Sequence, residues 1–312
     1  MVSNEEPTGD FVRVREQTAG RDLNYPPLPE PLPVGVYDNH THLEIADGEG
    51  LDYREHLDRA ASVGVRGVIQ VGGDVETSRW SAATAAIEPR MLAAVAIHPN
   101  EAAEYALRGE LDDAIAEIDR LAGQPRVVAV GETGLDYFRT ESAEGQAAQQ
   151  RSFEAHIDIA KRHGLALQIH DRDAHAAVIA TLLRVGAPER TVFHCYSGDA
   201  EMAGVCAENG WYLSFAGNVT FKSAENLRRS LAVAPRELVL VETDAPFLTP
   251  TPLRGRPNAP YLIPHTLRAM AGYLDTDVSV LAARISSNTE RVYGSWDAEP
   301  VSSVVVPSGG FA

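Results

Sequence analysis

Two histidines separated by a single threonine, His40 and His42, follow a short apolar run that ends at Tyr37. Side chains two positions apart on an extended chain point to the same side, so both imidazoles can bind one metal ion. Imidazole nitrogens suit borderline divalent metals such as Zn²⁺ and Mn²⁺. An isolated His-x-His is equally typical of ordinary turn residues, so the interpretation depends on what the rest of the chain supplies.

Further histidines and carboxylates come directly after later apolar runs. They are His98, Glu132, His170, His194 and Asp244. Without His98, four histidines and two carboxylates still exceed the tetrahedral shell of one ion, which predicts two divalent ions about 3.5–4 Å apart with a bridging carboxylate. Glu132 is the predicted bridge because its strand lies near the middle of the series. Such a pair lowers the pKa of a water molecule and can hold a phosphoryl oxygen.

The apolar runs and the segments between them predict strands that alternate with helices. Strands are expected at 34–37, 65–71, 91–97, 127–130, 166–169, 191–193, 211–215 and 238–241. Helices are expected at 53–62, 77–87, 111–121, 143–163, 175–185, 200–209, 224–233, 265–274 and 278–293. Eight such units predict an α/β fold, a (β/α)₈ TIM barrel in a single domain, with a doubly wound open sheet as the alternative. Barrel active sites lie at the carboxyl ends of the strands, where the candidate residues fall.

The two ends of the chain are predicted to lie outside the barrel domain, 34–294. Residues 1–33 contain a proline-rich stretch that is unsuited to helix or central strand, so we expect an extended segment on the domain, with its first dozen residues disordered. The Ser-, Val- and Gly-rich segment 295–312 is expected to be a flexible tail.

Composition limits the possible partners and the compartment. The net charge of −17 repels polyanions at long range, so attraction for a nucleic acid must come from the site and its metals. Two cysteines form no disulfide framework and suit a reducing cytoplasm. The polar N-terminus predicts neither signal peptide nor anchor, and no apolar run reaches membrane-spanning length. We therefore expect a cytoplasmic protein without a membrane partner; the sequence leaves its oligomeric state open.

Six motifs together resemble those of the TatD family of metal-dependent hydrolases, in the amidohydrolase-like superfamily, over residues 36–293. They are Asp-Asn-His-Thr-His-Leu at 38–43, Ile-His-Pro at 97–99, Gly-Glu-Thr-Gly-Leu-Asp-Tyr at 131–137, His-Asp-Arg-Asp-Ala at 170–174, His-Cys-Tyr-Ser-Gly at 194–198 and Glu-Thr-Asp-Ala-Pro-Phe-Leu at 242–248. The resemblance implies a barrel, divalent metals (Mg²⁺, Mn²⁺ or Zn²⁺) and hydrolysis of phosphodiester bonds, as by a 3′–5′ deoxyribonuclease acting on single-stranded DNA. It implies metal ligation by His40, His42, Glu132, His170, His194 and Asp244.

Catalytic and substrate-binding roles can be assigned to some of these side chains and their neighbours. Asp244 is a candidate general base, and Glu132 and Asp244 are the predicted catalytic residues. The remaining candidates for substrate or phosphate binding, or for supporting the ligands, are His98, Arg172, Arg254 and Arg256. Asp136 could support the ligands or be structural, and Glu242 could support the ligands or pair with a neighbouring arginine. A packing role for His98 and ordinary surface positions for the arginines are the alternatives.

Two other functions remain open at this stage. The same metal chemistry could cleave a different ester, such as the linkage in aminoacyl-tRNA. The chain could also be a barrel that binds metal or a partner without turnover. The complete set of candidate ligands favours an enzyme over a barrel without turnover. A panel of substrates would separate a nuclease from a hydrolase of aminoacyl esters.

Overall fold

The computed structural model describes residues 12–17, 19–48 and 51–296. The predictions for the first dozen residues and for most of the tail therefore lie outside the described residues. Ten strands and ten α-helices are found in the described part. The strands are β1 Arg13–Val14, β2 Val36–Thr41, β3 Ile45–Ala46, β4 Val65–Val71, β5 Met91–Val95, β6 Val127–Asp136, β7 Ala166–Arg172, β8 Thr191–Phe193, β9 Tyr212–Phe215 and β10 Val239–Val241. The helices are α1 Tyr53–Ser62, α2 Val75–Ile87, α3 Pro99–Arg108, α4 Leu111–Ala122, α5 Ala143–His163, α6 His175–Val185, α7 Ala200–Glu208, α8 Glu225–Val233, α9 Ile263–Tyr273 and α10 Val278–Tyr293.

Eight parallel strands form the barrel. Their order is β2, β4, β5, β6, β7, β8, β9 and β10. Closure between β10 and β2 is made just beyond the end of β10, where Thr41 and Ala245 form a single parallel bridge. The backbone N–H of Asp244 donates to His40 O at 2.9 Å, and that of His42 donates to Ala245 O at 2.7 Å. The predicted (β/α)₈ barrel is thus confirmed.

The interior of the barrel changes from apolar to polar towards the carboxyl ends of the strands. Alternate residues along a strand point inward, so positions two apart share the interior. Val192 is followed at this spacing by His194, and Leu240 by Glu242; on β7, Ala166 is followed by Gln168 and then His170. The apolar members belong to a buried cluster that α10 extends with Tyr293. The inward-facing polar residues therefore lie next to a layer of buried apolar side chains in the barrel interior.

Helices cover the outside of the strands. Buried residues such as Leu57, Ile118 and Phe153 from the helices belong to the outer core with strand residues such as Val68 and Val130. Asp52 and Asp74 cap the first turns of α1 and α2 with their side chains. Within the described residues, no helix has the length and apolarity needed to cross a membrane.

The predicted elements differ from the observed ones in two informative ways. Three strands that carry candidate ligands continue beyond their predicted ends, β2 to Thr41, β6 to Asp136 and β7 to Arg172, whereas β8 and β10 end where predicted. Helix α3 was not predicted, although Pro99 at its first turn and the left-handed Gly109 at its end are ordinary boundary signals. A prediction from apolar runs alone therefore stops too early where a strand continues through polar residues, as in β2, β6 and β7.

Buried His156 predicts a pH dependence of stability. Its Nε2 accepts the backbone N–H of Ile97 at 3.1 Å, and its Nδ1 lies 2.6 Å from Ser152 O. Burial lowers the pKa of His156 to about 4. The unfolded chain binds this proton below about pH 6.5, so the free energy of unfolding falls as the pH drops from about 6.5 towards about 4.

Chemical denaturation at about pH 7 and about pH 5 measures this contribution. We expect His156→Gln to lose about 2 kcal/mol less stability between the two pH values than the wild type. Other buried histidines titrate in both proteins, so the comparison isolates His156. Identical pH dependence in the two proteins would contradict the prediction.

Candidate metal centre

Glu132 lies at the centre of the site, with a pair of histidines facing each of its carboxylate oxygens. Oε1 lies 2.6 Å from His170 Nδ1 and 2.8 Å from His194 Nε2. Oε2 lies 3.6 Å from both His40 Nε2 and His42 Nε2. Each carboxylate oxygen therefore has two histidine nitrogens nearby, as expected of a bridge between two ions, and the two pairs adjoin where the rings of His40 and His194 stack with centroids 3.8 Å apart.

Each of the four histidines has its second ring nitrogen held by an acceptor on a different strand or strand end. His40 Nδ1 lies 3.1 Å from Gln168 Oε1, and His42 Nδ1 lies 2.9 Å from Val71 O. The other two contacts join His170 Nε2 to Asp136 Oδ2 at 3.2 Å and His194 Nδ1 to Glu242 Oε1 at 3.1 Å. Such contacts fix the ring orientation and leave the inward nitrogen free to bind a metal.

The contact between His40 and His42 indicates that the pocket suits a cation. The Val71 carbonyl can only accept, so His42 Nδ1 carries its proton. Gln168 donates its amide hydrogens to Asn39 O and the Tyr293 hydroxyl, so its oxygen accepts from His40 Nδ1. With both rings neutral, two bare Nε2 atoms would face each other at 3.2 Å. Positive charge between them removes this conflict, either as a bound cation or as a proton on His42: burial lowers the pKa of His42, but the carboxylates of Glu44, Glu132 and Asp244 raise it to about 9. The donor set fits a divalent ion that takes the place of this proton.

Asp244 completes the group on the side of His40 and His42. Its Oδ1 lies 3.8 Å from His40 Nε2 and 3.6 Å from His42 Nε2. One donor atom from each of His40, His42 and Asp244 lies within 4.8 Å of the others. The backbone of Asp244 has φ 54°, a left-handed conformation that Asp adopts more readily than most residues. Strain of this kind is typical of functional sites.

Burial and neighbouring charges together set the pKa values of the side chains in the pocket. Burial opposes ionisation of Glu132, but the facing histidines, His194 foremost, hold the pKa of this carboxyl well below its usual range. Burial raises the pKa of Asp244 to about 7, against the opposite effect of His194 and His42. Burial also lowers the pKa of His40 to about 4. Cations bound here would favour ionised carboxylates and neutral imidazoles.

A glycine allows the two ligand-bearing strands β6 and β7 to approach closely. Gly134 has φ 140°, and a Cβ at this position would lie 2.1 Å from His170 O. No side chain fits such a gap. Gly134 therefore permits the register that places Glu132 beside His170.

His98 lies at the edge of the pocket and faces the same carboxylate. Its Nδ1 accepts the backbone N–H of Asn100 at 3.2 Å, so in the neutral ring Nε2 carries the proton. Nε2 lies 3.4 Å from Glu132 Oε1. Burial lowers the pKa of His98 and so favours this neutral form. The ring thus presents a hydrogen-bond donor to the site; substrate contact by His98 stays a prediction.

The three candidate arginines occupy different environments. Arg172 and Arg254 are exposed, and their guanidinium carbons lie 3.9 Å from the ring centroids of Phe138 and Phe221 respectively. Arg256 instead donates to the backbone oxygens of two residues before the barrel, Asn24 at 3.0 Å and Tyr25 at 2.9 Å. Phosphate binding by the three arginines stays a prediction, and the contacts of Arg256 are those of an anchor for the N-terminal segment.

Of three residues that orient the histidines, Gln168 was not predicted, and Asp136 and Glu242 were expected only as possible supports of the ligands. Gln168 orients His40 from across the barrel, and Glu242 and Asp136 orient His194 and His170. A signal for Gln168 existed, because it is a polar residue within an apolar strand two positions before a predicted ligand. The partner of each histidine depends on strand register, which the sequence does not provide.

The fold and the site together define a class of protein. A (β/α)₈ barrel that gathers histidines and carboxylates at the carboxyl ends of its strands is a metal-dependent hydrolase of the TIM-barrel type. Residues 37–294 match the family model described as TatD related DNase, and the chain belongs to this family. The resemblance noted in the sequence is thus confirmed.

Relatives and solved structures agree with this assignment. A Mycobacterium tuberculosis protein described as an uncharacterized metal-dependent hydrolase TatD is 43% identical over 263 residues, covering 83% of this chain and 98% of the relative. A Citrobacter rodentium protein named 3′-5′ ssDNA/RNA exonuclease TatD is 33% identical over 249 residues, covering 78% of this chain and 92% of the relative. The crystal structure of the TatD homologue YJJV from Escherichia coli superimposes with a TM-score of 0.74 at 25% identity, covering 83% of this chain and 98% of the homologue.

Proposed function

We propose that this metal-dependent hydrolase is a nuclease that removes nucleotides from the 3′ end of single-stranded DNA. The observation that carries the proposal is the position of the Glu132 carboxylate between two pairs of histidines. Its Oε1 lies beside His170 and His194, and its Oε2 faces His40 and His42. A two-ion site suits a phosphodiester, because two ions can hold both the attacking and the leaving oxygen. The name of the Citrobacter rodentium relative supports the polarity and the single-stranded substrate.

The residues divide into two groups of ligands that share Glu132. His40, His42 and Asp244 would hold one divalent ion, and His170 and His194 would hold the other. Ions bound there would supply Lewis-acid polarisation of the phosphoryl group and of a water molecule. Asp244 would accept a proton from the attacking water, because its Oδ1 faces the pocket between His40 and His42. His98 would donate a hydrogen bond to a phosphate oxygen.

A cytoplasmic location belongs to the same proposal. Cys195 and Cys206 are both free, as expected of a protein that works in a reducing compartment. The state of the two cysteines is therefore compatible with a cytoplasmic location.

Hydrolysis of 5′-labelled single-stranded DNA tests the function. The protein is first treated with a chelator, and Mg²⁺ or Mn²⁺ is then added back. We expect a ladder that shortens from the 3′ end, only with metal, and no ladder with Glu132→Ala. A blocked 3′ end should stop an enzyme that starts from this end. An enzyme that cuts internal bonds would still cleave the 3′-blocked substrate.

A parallel assay on aminoacyl-tRNA separates the rival ester substrate. A nuclease of the proposed kind leaves the aminoacyl ester intact. Metal-dependent release of the amino acid without cleavage of any nucleic acid would replace the proposed function by a deacylase. Intact single- and double-stranded RNA in the same panel would show whether the enzyme distinguishes the sugar.

A further inference from the structure

The first described residues of the chain, 12–17, lie at the rim of the barrel mouth, beside the metal centre; we call them the N-terminal arm. The backbone N–H groups of Val12 and Arg13 donate to Glu44 O at 2.9 and 3.1 Å. Strand β1 of the arm then pairs in parallel with β3, which begins three residues after His42. The arm lies outside residues 37–294, which match the family.

Arg13 ties the arm to two further loops at the carboxyl ends of the strands. Its Nη2 contacts Asp74, which caps α2 directly after β4. The same atom lies 3.9 Å from Glu101 in α3, three residues after His98. The arm therefore borders the mouth from the end of β2 to the end of β5.

Arg15 reaches the opposite side of the arm, towards the loop that carries Asp244. Its Nη1 donates to Pro246 O at 2.6 Å, and its guanidinium carbon lies 4.9 Å from the ring centroid of Phe247. The centroids of the Phe247 and His42 rings are in turn 6.3 Å apart. Only one aromatic side chain thus separates this cation from a predicted metal ligand.

The charge of Arg15 is only partly neutralised. Its nearest carboxylate, Asp47, lies 3.1 Å from Arg15 Nη1 but also makes two hydrogen bonds to Arg21. One carboxylate thus faces two guanidinium groups. Within the described ranges, the hydrogen bonds of the Arg15 side chain all use Nη1, and the side chain is 28% exposed. Nε and Nη2 thus make no hydrogen bond to the part of the chain that the structure describes, and an anion could use them as donors.

The segment that follows the arm is fixed to the barrel, so Arg15 is held in position. The Tyr261 hydroxyl donates to Pro26 O at 2.6 Å, and Arg256 donates to Asn24 O and Tyr25 O. Arg268 donates to Glu30 O at 2.7 Å. Binding an anion at Arg15 would therefore not require ordering of a loose segment, which favours affinity.

We propose that Arg15 binds a backbone phosphate of the single-stranded nucleic acid, at the position next to the one held at the metal centre. The inference rests on the proposed function and adds a substrate-binding residue from outside the family core. A guanidinium with free donors is suited to a phosphate, and a protein with a net charge of −17 needs local cations to hold a polyanion. The neighbouring Phe247 would limit the path of the chain to one side of the mouth.

The inference is tested by measuring the binding of a fluorescein-labelled oligothymidine of about 12 nucleotides. Fluorescence anisotropy follows the binding in the presence of Ca²⁺, over about 50 to 200 mM salt. Arg15→Met keeps the aliphatic contact with Phe247 and removes the charge. We expect affinity to fall about tenfold and the slope of log K against log salt to decrease by about 0.7, the loss of one phosphate contact to a single strand. Arg15→Lys should restore most of the slope.

Arg162→Met is the control, because it also removes one positive charge from a partly exposed ion pair, with Asp119 at 3.0 Å, in the last turn of α5 at the end of the barrel opposite the mouth. It should bind the oligonucleotide within about twofold of the wild type. Equal losses in both variants would overturn the inference, since they would reflect net charge alone. Wild-type affinity in Arg15→Met, or no binding by the wild type, would also overturn it.

Cleavage of the same oligonucleotide in Mn²⁺ separates this inference from the proposed function. Cleavage by the wild type, together with unchanged binding by Arg15→Met, would leave the nuclease standing and remove Arg15. Binding that depends on Arg15 without cleavage of any phosphodiester would remove the nuclease and leave Arg15 as a nucleic acid contact.

Discussion

Glu132→Gln should lower metal-dependent hydrolysis by about 10³-fold, the equivalent of about 4 kcal/mol in the activation barrier. Glutamine has nearly the same shape, but it lacks the negative charge that faces all four histidines. The amide would also turn an NH₂ group towards one pair of imidazole nitrogens that need a cation. Calorimetric titration with Mn²⁺ should accordingly show fewer bound ions than in the wild type, for which we expect two.

Glu88→Gln is the control for this substitution. Glu88 is also a buried carboxylate, but it lies just before β5, at the end of the barrel opposite the site, paired with Arg90 at 2.8 Å. The control should change stability and leave the Mn²⁺ stoichiometry intact. A Glu132→Gln protein with wild-type turnover and stoichiometry would remove Glu132 from both the bridge and the mechanism.

Asp244→Asn should lower kcat by between about 10² and 10⁴, the usual contribution of a general base. The fold should survive, because the contact of residue 244 with His40 O uses the backbone N–H, and asparagine also tolerates a left-handed backbone. KM should change much less than kcat if the carboxylate acts on the attacking water. Steady-state kinetics on the labelled oligonucleotide, with thermal melting of both proteins, give these values.

Asp275→Asn matches this change in backbone as well as in chemistry. Asp275 has φ 46° and lies in the turn between α9 and α10. Its substitution should leave kcat unaltered. A rise in KM without a fall in kcat for Asp244→Asn would exclude Asp244 as the base and leave it only the role of a ligand to the ion or the substrate.

The barrel could be predicted from the sequence because buried strands and amphipathic helices each have a characteristic pattern of apolar residues. The sequence also predicted which ends of the strands carry polar side chains, and the structure brings His40, His42, Glu132, His170, His194 and Asp244 together there. It did not predict the partners of the histidines. Gln168 and His40 are 128 positions apart, and only the closed sheet brings them together.

Arg15 illustrates the same limit. The alternation Arg13-Val14-Arg15 was visible in the sequence, but a two-residue strand has too little pattern to predict its pairing. Its position follows from tertiary contacts with residues more than 200 positions away, such as Pro246. Local propensity carries no information on such contacts.

The separate supports of the four histidines have a consequence for quality control in the cell. His40 is oriented from β7, His42 from β4, His170 from β6 and His194 from the end of β10. A chain with any one of these strands out of register would misdirect at least one imidazole. Hydrolytic activity therefore requires the completely assembled barrel. A partly folded chain would be inactive and would not hydrolyse substrates with reduced selectivity.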